Sequence, residues 1–314
     1  METVDWGSAF APTHRPLSPN ELSAYFSRLG LSGPYAPGSA ALLDAVVRAH
    51  ALAIPFESLD VTLRTPIDIS PASIFSKLVE RRRGGYCLET NYLLLAALQA
   101  LDFPVRLRAA RVWMRCAEYT PLDPPNTRMH VVLVARAAGG DEYLCDVGFG
   151  GGGPPAPLPL RASPPVEVCG DCFQVRAGDA ALGEDTFVLF GVQAGEWRRL
   201  YSFEHASWDA PAVHAADFIA VNFFVQEARG SLFHTICVAT MPLPEGRVTL
   251  LGRELKKKGV ERPGAAPHVE VMRIADAREY RTLALDHFGI TLSEAQARVL
   301  FEWAAREEEG RARG

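Results

Sequence analysis

The sequence predicts an α+β fold, with a helical N-terminal third running into an antiparallel, β-rich middle section. Three observations carry that expectation. Serine-initiated helix signals recur in the first hundred residues, hydrophobic spacing changes to period two after Phe103-Pro104, and Gly, Pro and Asp clusters punctuate the segments beyond.

The helices come first. Ser18-Pro19 supplies an N-cap followed by proline at the first helical position, with Glu21 in the first turn and Gly30 as a stop. Ser39 opens a second helix whose apolar residues Leu42, Leu43, Val46 and Val47 fall at helical spacing. Ser70-Pro71 repeats the signal for a third, running to the cations Arg81, Arg82 and Arg83 and ending at Gly84-Gly85. A fourth begins at or just before Leu88, with Tyr92, Leu95 and Leu98 on one face. Strands are expected over 105–112, 129–135, 142–147, 186–190 and 199–203. Residues 148–159 form a Gly/Pro loop and 208–218 a linker or short helix. Strands follow at 232–240 and 247–251, and a terminal helix at 293–306 is capped by Ser293.

The chain has 314 residues, 48% hydrophobic and 22% charged, enough to bury a core without metals or disulfides. A net charge of −5 argues against a nucleic-acid partner, because no overall basic field collects phosphates. The runs 81–83 and 256–258 read as solvated helix or turn faces. The N-terminus lacks the apolar run of a signal peptide, and no stretch reaches the roughly 18 apolar residues of a membrane helix. Six irregularly spaced cysteines fit reduced thiols, so the expected location is cytoplasmic. Cys169-Gly170-Asp171-Cys172 is one CxxC pair without the other two ligands of a zinc site, and no metal is expected.

The chemistry concentrates around Cys87. Gly84 and Gly85 permit a tight turn, and a helix follows at once, which puts the sulfur at a helix N-terminus. Unpaired N–H groups and the positive end of the dipole there favour a thiolate and an adjacent oxyanion. A lone cysteine is also often just a small buried hydrophobe. A nucleophile needs a base. Among eight histidines, His130 stands apart because it heads the apolar strand His130-Val131-Val132-Leu133-Val134. A buried ring there needs a partner, either a backbone carbonyl or a charged group. The turn at 137–141 pairs this strand with 142–147 as a hairpin. With the loop centred near Ala138, His130 and Asp146 come opposite or one pair apart. Asp146, in an apolar segment, needs a partner as well. It would fix the imidazole tautomer and leave the other ring nitrogen facing the thiol. The glycine run at 150–153 lets backbone approach a ligand, but it lacks the lysine and following helix of a P-loop.

Together, Arg83-Gly84-Gly85-Tyr86-Cys87-Leu88-Glu89-Thr90-Asn91, His130 heading its strand, and Asp146-Val147-Gly148-Phe149-Gly150 resemble the arylamine N-acetyltransferase family. The segment Ala53-Ile54-Pro55-Phe56-Glu57-Ser58-Leu59-Asp60 is similar to that family's AIPFENLD segment. His287-Phe288-Gly289-Ile290 before a leucine-bearing helix is similar too. The likeness spans roughly residues 20 to 305.

The resemblance implies a cysteine-protease-like Cys-His-Asp core in three parts: a helical bundle (1–103) carrying Cys87, a β-barrel (104–207) carrying His130 and Asp146, and an interdomain linker with a C-terminal α/β lid (208–314). It implies ping-pong transfer of an acetyl or other short acyl group from acetyl-CoA, or another acyl-CoA, to an arylamine, arylhydrazine or arylhydroxylamine, a role in xenobiotic metabolism. By the same resemblance Arg83 pairs with Glu57 to support the turn, and Phe149 and Tyr86 meet the amine. Asn126, Thr127, Gly148, Gly150, Phe224 and Ser231 meet the CoA. In the family's lid segment, only Asn222, the aromatics, Ser231 and Phe233 are retained, and Arg229 is either a phosphate contact or a solvated turn residue. The competing readings are a macrolactam-forming amide synthase, a transglutaminase-like cysteine hydrolase, and a CoA- or arylamine-binding protein without turnover.

Overall fold

The computed structural model describes residues 15–113, 127–161, 164–178, 185–193, 195–209, 213–259 and 268–312, so the expected site residue Asn126 lies outside it. Helices α1 (Pro19–Leu29), α2 (Ala40–Ala53), α3 (Leu59–Thr62), α4 (Pro71–Phe75) and α5 (Cys87–Ala100) build the N-terminal part, with the short strand β1 (Phe56–Glu57) before α3. The three serine caps form as the sequence predicts. The Ser18 hydroxyl accepts from Glu21 N, that of Ser39 from Leu42 N and that of Ser70 from Ser73 N. Gly30 takes the left-handed stop, φ 64°. Beyond α4 the chain widens into a π-helical turn, Ser76–Glu80.

Helix α5 is buried on all sides from Cys87 to Leu98, as an apolar helix without a solvent face must be. It organises the first core, packing on α1, α2 and the barrel residues Val131, Leu133, Ala135 and Cys145.

Strands β2 (Val105–Val112), β3 (Arg128–Arg136), β4 (Glu142–Cys145), β5 (Leu158–Pro159), β6 (Val166–Val168), β7 (Asp171–Ala177), β8 (Thr186–Gln193) and β9 (Glu196–Glu204) form one antiparallel sheet. Its order is β5-β4-β3-β2-β9-β8-β7-β6, curled into a nearly closed barrel. Alternation sorts β3. Val131 and Leu133 face α5, whereas Val132 and Val134 join Leu158, Phe173, Leu189 and Tyr201 inside the barrel.

The β3–β4 register differs from the expected one. Leu133 pairs with Cys145, so Asp146 falls opposite Val132, two residues along β3 from His130. A two-residue offset preserves the face, whereas a one-residue slip would have separated the side chains. The same register sends Cys145 to the α5 side, away from the His130 face.

After the 3₁₀ turn Ala215–Phe218 and helix α6 (Ile219–Glu227), strands β10 (Val238–Leu243), β11 (Gly246–Leu251), β12 (Glu254–Gly259) and β13 (His268–Arg273) form a second antiparallel sheet. It is covered by α7 (Ala277–Phe288) and α8 (Glu294–Ala312), whose Tyr280, Phe288 and Leu300 pack on Ala239, Val248 and Leu250. Strand β1 joins it, Phe56 opposite Thr240 and Glu57 opposite Ala239. The turn before Cys87 is thereby tied to β1 and, through it, to β10: Glu57 N donates to Gly85 O (3.0 Å), and Gly85 N to Pro55 O (3.3 Å).

Three expectations are corrected here. The strand expected at 232–240 is a 3₁₀ turn, Leu232–His234, with β10 starting at Val238. Residues 256–258 lie on strand β12, where Lys258 bonds Asp171 at 2.5 Å. Arg83 is not a solvated residue but a buried one, 9% exposed, because carboxylates surround it.

Candidate active site

Cys87 is the first residue of α5, with Tyr86 as the N-cap in an extended conformation. Two glycines make that turn possible. A Cβ on Gly84 would lie 2.1 Å from the Pro55 carbonyl oxygen, and one on Gly85 2.7 Å from the Glu89 carboxylate. Glu89 then accepts from Tyr86 N at 3.1 Å and from Lys77 Nζ at 2.7 Å. Burial pushes the Glu89 carboxyl above its ordinary value even with Lys77 beside it.

A buried ionic lattice underpins the turn. Arg83 donates to Glu57 Oε1 (2.6 Å) and to Asp60 Oδ1 (2.9 Å), and Lys77 bonds Asp60 Oδ2 (2.7 Å). Against the cost of burial, Lys77 and Arg83 hold Asp60 below the usual carboxylate range. The expected Arg83–Glu57 pair is therefore present, and it belongs to a larger set that includes Asp60, Lys77 and Glu89.

The fold brings His130 and Asp146 to the head of this helix. His130 Nε2 and Asp146 Oδ2 lie 2.7 Å apart, and both residues are buried. Cys87 Sγ lies 4.0 Å from Met129 O, the carbonyl just before His130, and with Nε2 taken by Asp146 the ring's Nδ1 is the nitrogen left for the sulfur. Burial works to lower the ring's basicity, but the Asp146 carboxylate and Cys87 overcome it and push the value up from 6.5 to about 10. Asp146 is held low in turn: burial opposes its charge, while His130, Asn91 and the Gly148 N–H stabilise it.

Asn91, one turn along α5 from Cys87, is a residue that sequence reasoning passed over as a bare motif letter. Its Nδ2 donates to Asp146 Oδ1 (2.9 Å) and Val131 O (2.8 Å), and its Oδ1 accepts from Val147 N (3.0 Å). One amide therefore ties the helix, β3 and the Asp146 segment together. Gly148 N donates to Asp146 Oδ1 at 2.8 Å, and a Cβ on Gly148 would sit 2.7 Å from Cys87 Cα. Only glycine permits that approach.

Phe149 meets the His130 ring edge-on at a centroid distance of 5.4 Å, and Tyr201 packs on both, at 5.2 Å from His130 and 5.1 Å from Phe149. Tyr201 carries no sequence signal beyond an apolar strand. Tyr86 is fully buried, its hydroxyl donating to Asn222 Oδ1 and its ring against Phe233, so it braces the turn rather than lining open space. Ser231 is buried as well and donates to Val225 O at 2.9 Å. Thr127 and Phe224 are exposed, and Gly150 lies beside Phe56 with φ 79°.

A model of a family described as N-acetyltransferase matches residues 40–297. An arylamine N-acetyltransferase of Mycolicibacterium smegmatis is 36% identical over 88% of this chain and 94% of its own length. The chain belongs to the arylamine N-acetyltransferase family. The solved structure of an arylamine N-acetyltransferase from Salmonella typhimurium superposes with a TM-score of 0.78 at 26% identity, covering 91% of this chain and 99% of that one. The Mycobacterium marinum arylamine N-acetyltransferase, solved in complex with CoA, gives 0.76 at 29% identity over 89% and 98%. The chain is thus a transferase of the arylamine N-acetyltransferase family with the cysteine-protease-like fold of those structures.

Proposed function

We propose that the protein transfers an acetyl group from acetyl-CoA to the nitrogen of an aromatic amine or hydrazine, by a ping-pong route through a thioester on Cys87, with His130 and Asp146 completing the triad. The observation that carries the reading is the His130 ring bonded to the Asp146 carboxylate at the head of the helix that opens with Cys87. A ring basic to about 10 is an imidazolium at neutral pH, able to hand a proton to a leaving group beside Cys87.

The thiolate attacks the thioester carbonyl carbon. The N–H groups at the start of α5 stabilise the oxyanion, the bond to the CoA sulfur breaks, and His130 gives that sulfur its proton. Exchange between two thioesters is nearly isoenergetic, so Cys87 can accept and release the acetyl group with little bias. In the second half the amine nitrogen attacks acetyl-Cys87, neutral His130 takes the nitrogen's proton, and the thiolate leaves with its imidazolium partner restored. Asp146 keeps the proton-bearing Nε2 pointed away from sulfur throughout.

The CoA complex of the M. marinum relative supports CoA as the carrier here. Steady-state rates with acetyl-CoA and an aniline, each varied at several concentrations of the other, test the route. Parallel double-reciprocal lines and complete loss of turnover in Cys87→Ala are expected. Intersecting lines would overturn the ping-pong order.

A further inference from the structure

Residues 150–153 are four consecutive glycines, the least self-ordering run a chain can place beside a reacting centre. They have no side chains to pack, and a small cavity of about 20 Å³ lies against them, lined by Phe56, Pro155, Thr240 and Arg247 among others. Something other than packing must hold this loop. Gly153 N reaches Gly150 O at 3.1 Å, closing it on itself. Arg247, from β11 of the C-terminal sheet, then donates to the carbonyls at both ends of the run: NH1 to Gly150 O at 3.2 Å and NH2 to Gly153 O at 3.1 Å.

Arg247 is buried and anchored in its turn. Its NH2 meets Asp171 Oδ2 at 3.3 Å, and Lys258 Nζ meets Asp171 Oδ1 at 2.5 Å. Arg247 and Lys258 are direct cross-strand partners on β11 and β12. Two like charges facing each other across a sheet repel. The single Asp171 carboxylate relieves that repulsion and ties the C-terminal sheet to the barrel. Asp171 is carried at the start of β7 by the tight turn Cys169-Gly170, where both residues have positive φ (51° and 72°). The CxxC stretch therefore has a structural purpose: its turn delivers Asp171.

The path onward to the chemistry is short. A Cβ on Gly153 would stand 2.9 Å from Phe149 Cβ, so the loop lies directly on Phe149, which packs edge-on against His130. We propose that Arg247 is a positioning residue for the acceptor half of the reaction: by clamping the Gly150–Gly153 run it fixes Phe149 beside His130, where the amine must approach acetyl-Cys87. The kinetic part of this assignment rests on the acetyl-transfer reading; the structural part does not.

The test compares Arg247→Met, Arg247→Lys and Asp171→Asn with the parent by two readouts. One is amide hydrogen exchange across residues 147–157. The other is the KM for an aniline set beside the rate at which acetyl-CoA acetylates Cys87 in the absence of amine. In Arg247→Met, exchange of the loop and the aniline KM each rise about tenfold or more, the scale of two lost charge-assisted hydrogen bonds, while Cys87 acetylation stays within about threefold. Arg247→Lys recovers part of both effects. Asp171→Asn moves them in the same direction by less, since the carbonyl contacts survive, and it answers the question should Arg247→Met fail to fold. Unchanged exchange and KM in a folded variant would overturn the proposal, and so would equal losses in KM and in Cys87 acetylation. A parent protein that acetyl-CoA does not acetylate would instead remove the acetyl-transfer reading, while the exchange data would still decide the clamp.

Discussion

Replacing Asp146 with asparagine changes one atom and should disable the site chiefly through proton placement. Asp146 Oδ1 accepts from Asn91 and Gly148 N, while Oδ2 accepts from His130 Nε2 at 2.7 Å. An asparagine keeps its one oxygen for Asn91 and Gly148, so its NH₂ must face the imidazole. Nε2 then becomes the acceptor and the proton moves to Nδ1, aimed at sulfur, where the ring can no longer take a proton. The electrostatic loss adds to this. The rise of the ring from 6.5 to about 10 corresponds to roughly 5 kcal/mol favouring the imidazolium, and most of that favour comes from the carboxylate. Two assays read the result. Turnover should fall about 10⁴-fold, the scale seen when a triad aspartate elsewhere is made neutral. Alkylation of Cys87 by iodoacetamide at pH 7, fast in the parent, should become slow in Asp146→Asn while the melting temperature shifts by only a few degrees. Equal alkylation rates at pH 7 in the two proteins would refute the argument that Asp146 sustains the ion pair.

The remaining predictions follow from the same geometry. Gly148→Ala forces a methyl to within 2.7 Å of Cys87 Cα, Asn91 Nδ2 and Thr90 Oγ1, so denaturant titration should show a loss of about 1–3 kcal/mol, with acetylation of Cys87 reduced. Arg83→Met strips the cation from the buried Glu57 and Asp60 carboxylates and should cost about 3–5 kcal/mol in the same assay, far more than removal of a surface charge. The pH dependence has a defined sign. His130 is raised on folding, so its contribution to stability is complete below its unfolded value of 6.5 and is lost as pH climbs through about 10. Asp146 is lowered, so its contribution is present above 3.8 and is lost on acidification. Melting temperatures between pH 6.5 and 10 should therefore fall more steeply for the parent than for His130→Gln, and parallel curves would contradict the assignment.

Local chemistry made parts of this site legible from sequence. Gly84-Gly85 before a helix has one economical interpretation, and the structure puts Cys87 at the first position of α5. His130 and Asp146 were inferred from each other's need for a partner. The geometry satisfies that need even though the register differs by two residues, because a period-two strand forgives an even error. What escaped was whatever depends on distant segments. Asn91 is one polar residue on an apolar helix, and Tyr201 is one aromatic on an apolar strand. Only the assembled barrel shows that both face the His130–Asp146 pair. Lys77 carries no sequence signal and Asp60 only closes the segment similar to AIPFENLD, since nothing local says that α3, the π-helical turn and α5 converge. Helix α6 begins without a side-chain cap, at Phe218, and is rich in aromatics, so its period was hidden. Strand β12, carrying Lys256, Lys257 and Lys258, has a charge run where alternation would otherwise be read. Arg247 gave no signal at all, because its meaning lies in glycine carbonyls nearly a hundred residues earlier.

In the proposed reaction Cys87 carries the acetyl group between donor and acceptor. Intact-protein mass spectrometry after mixing with acetyl-CoA alone, followed by peptide mapping, tests it most directly. A single acetyl adduct on Cys87 is predicted, absent in Cys87→Ala and discharged when an aromatic amine is added, with the acetylated amine appearing in equal amount. A protein that forms product while Cys87 remains unmodified, or an adduct that an amine cannot discharge, would contradict the account.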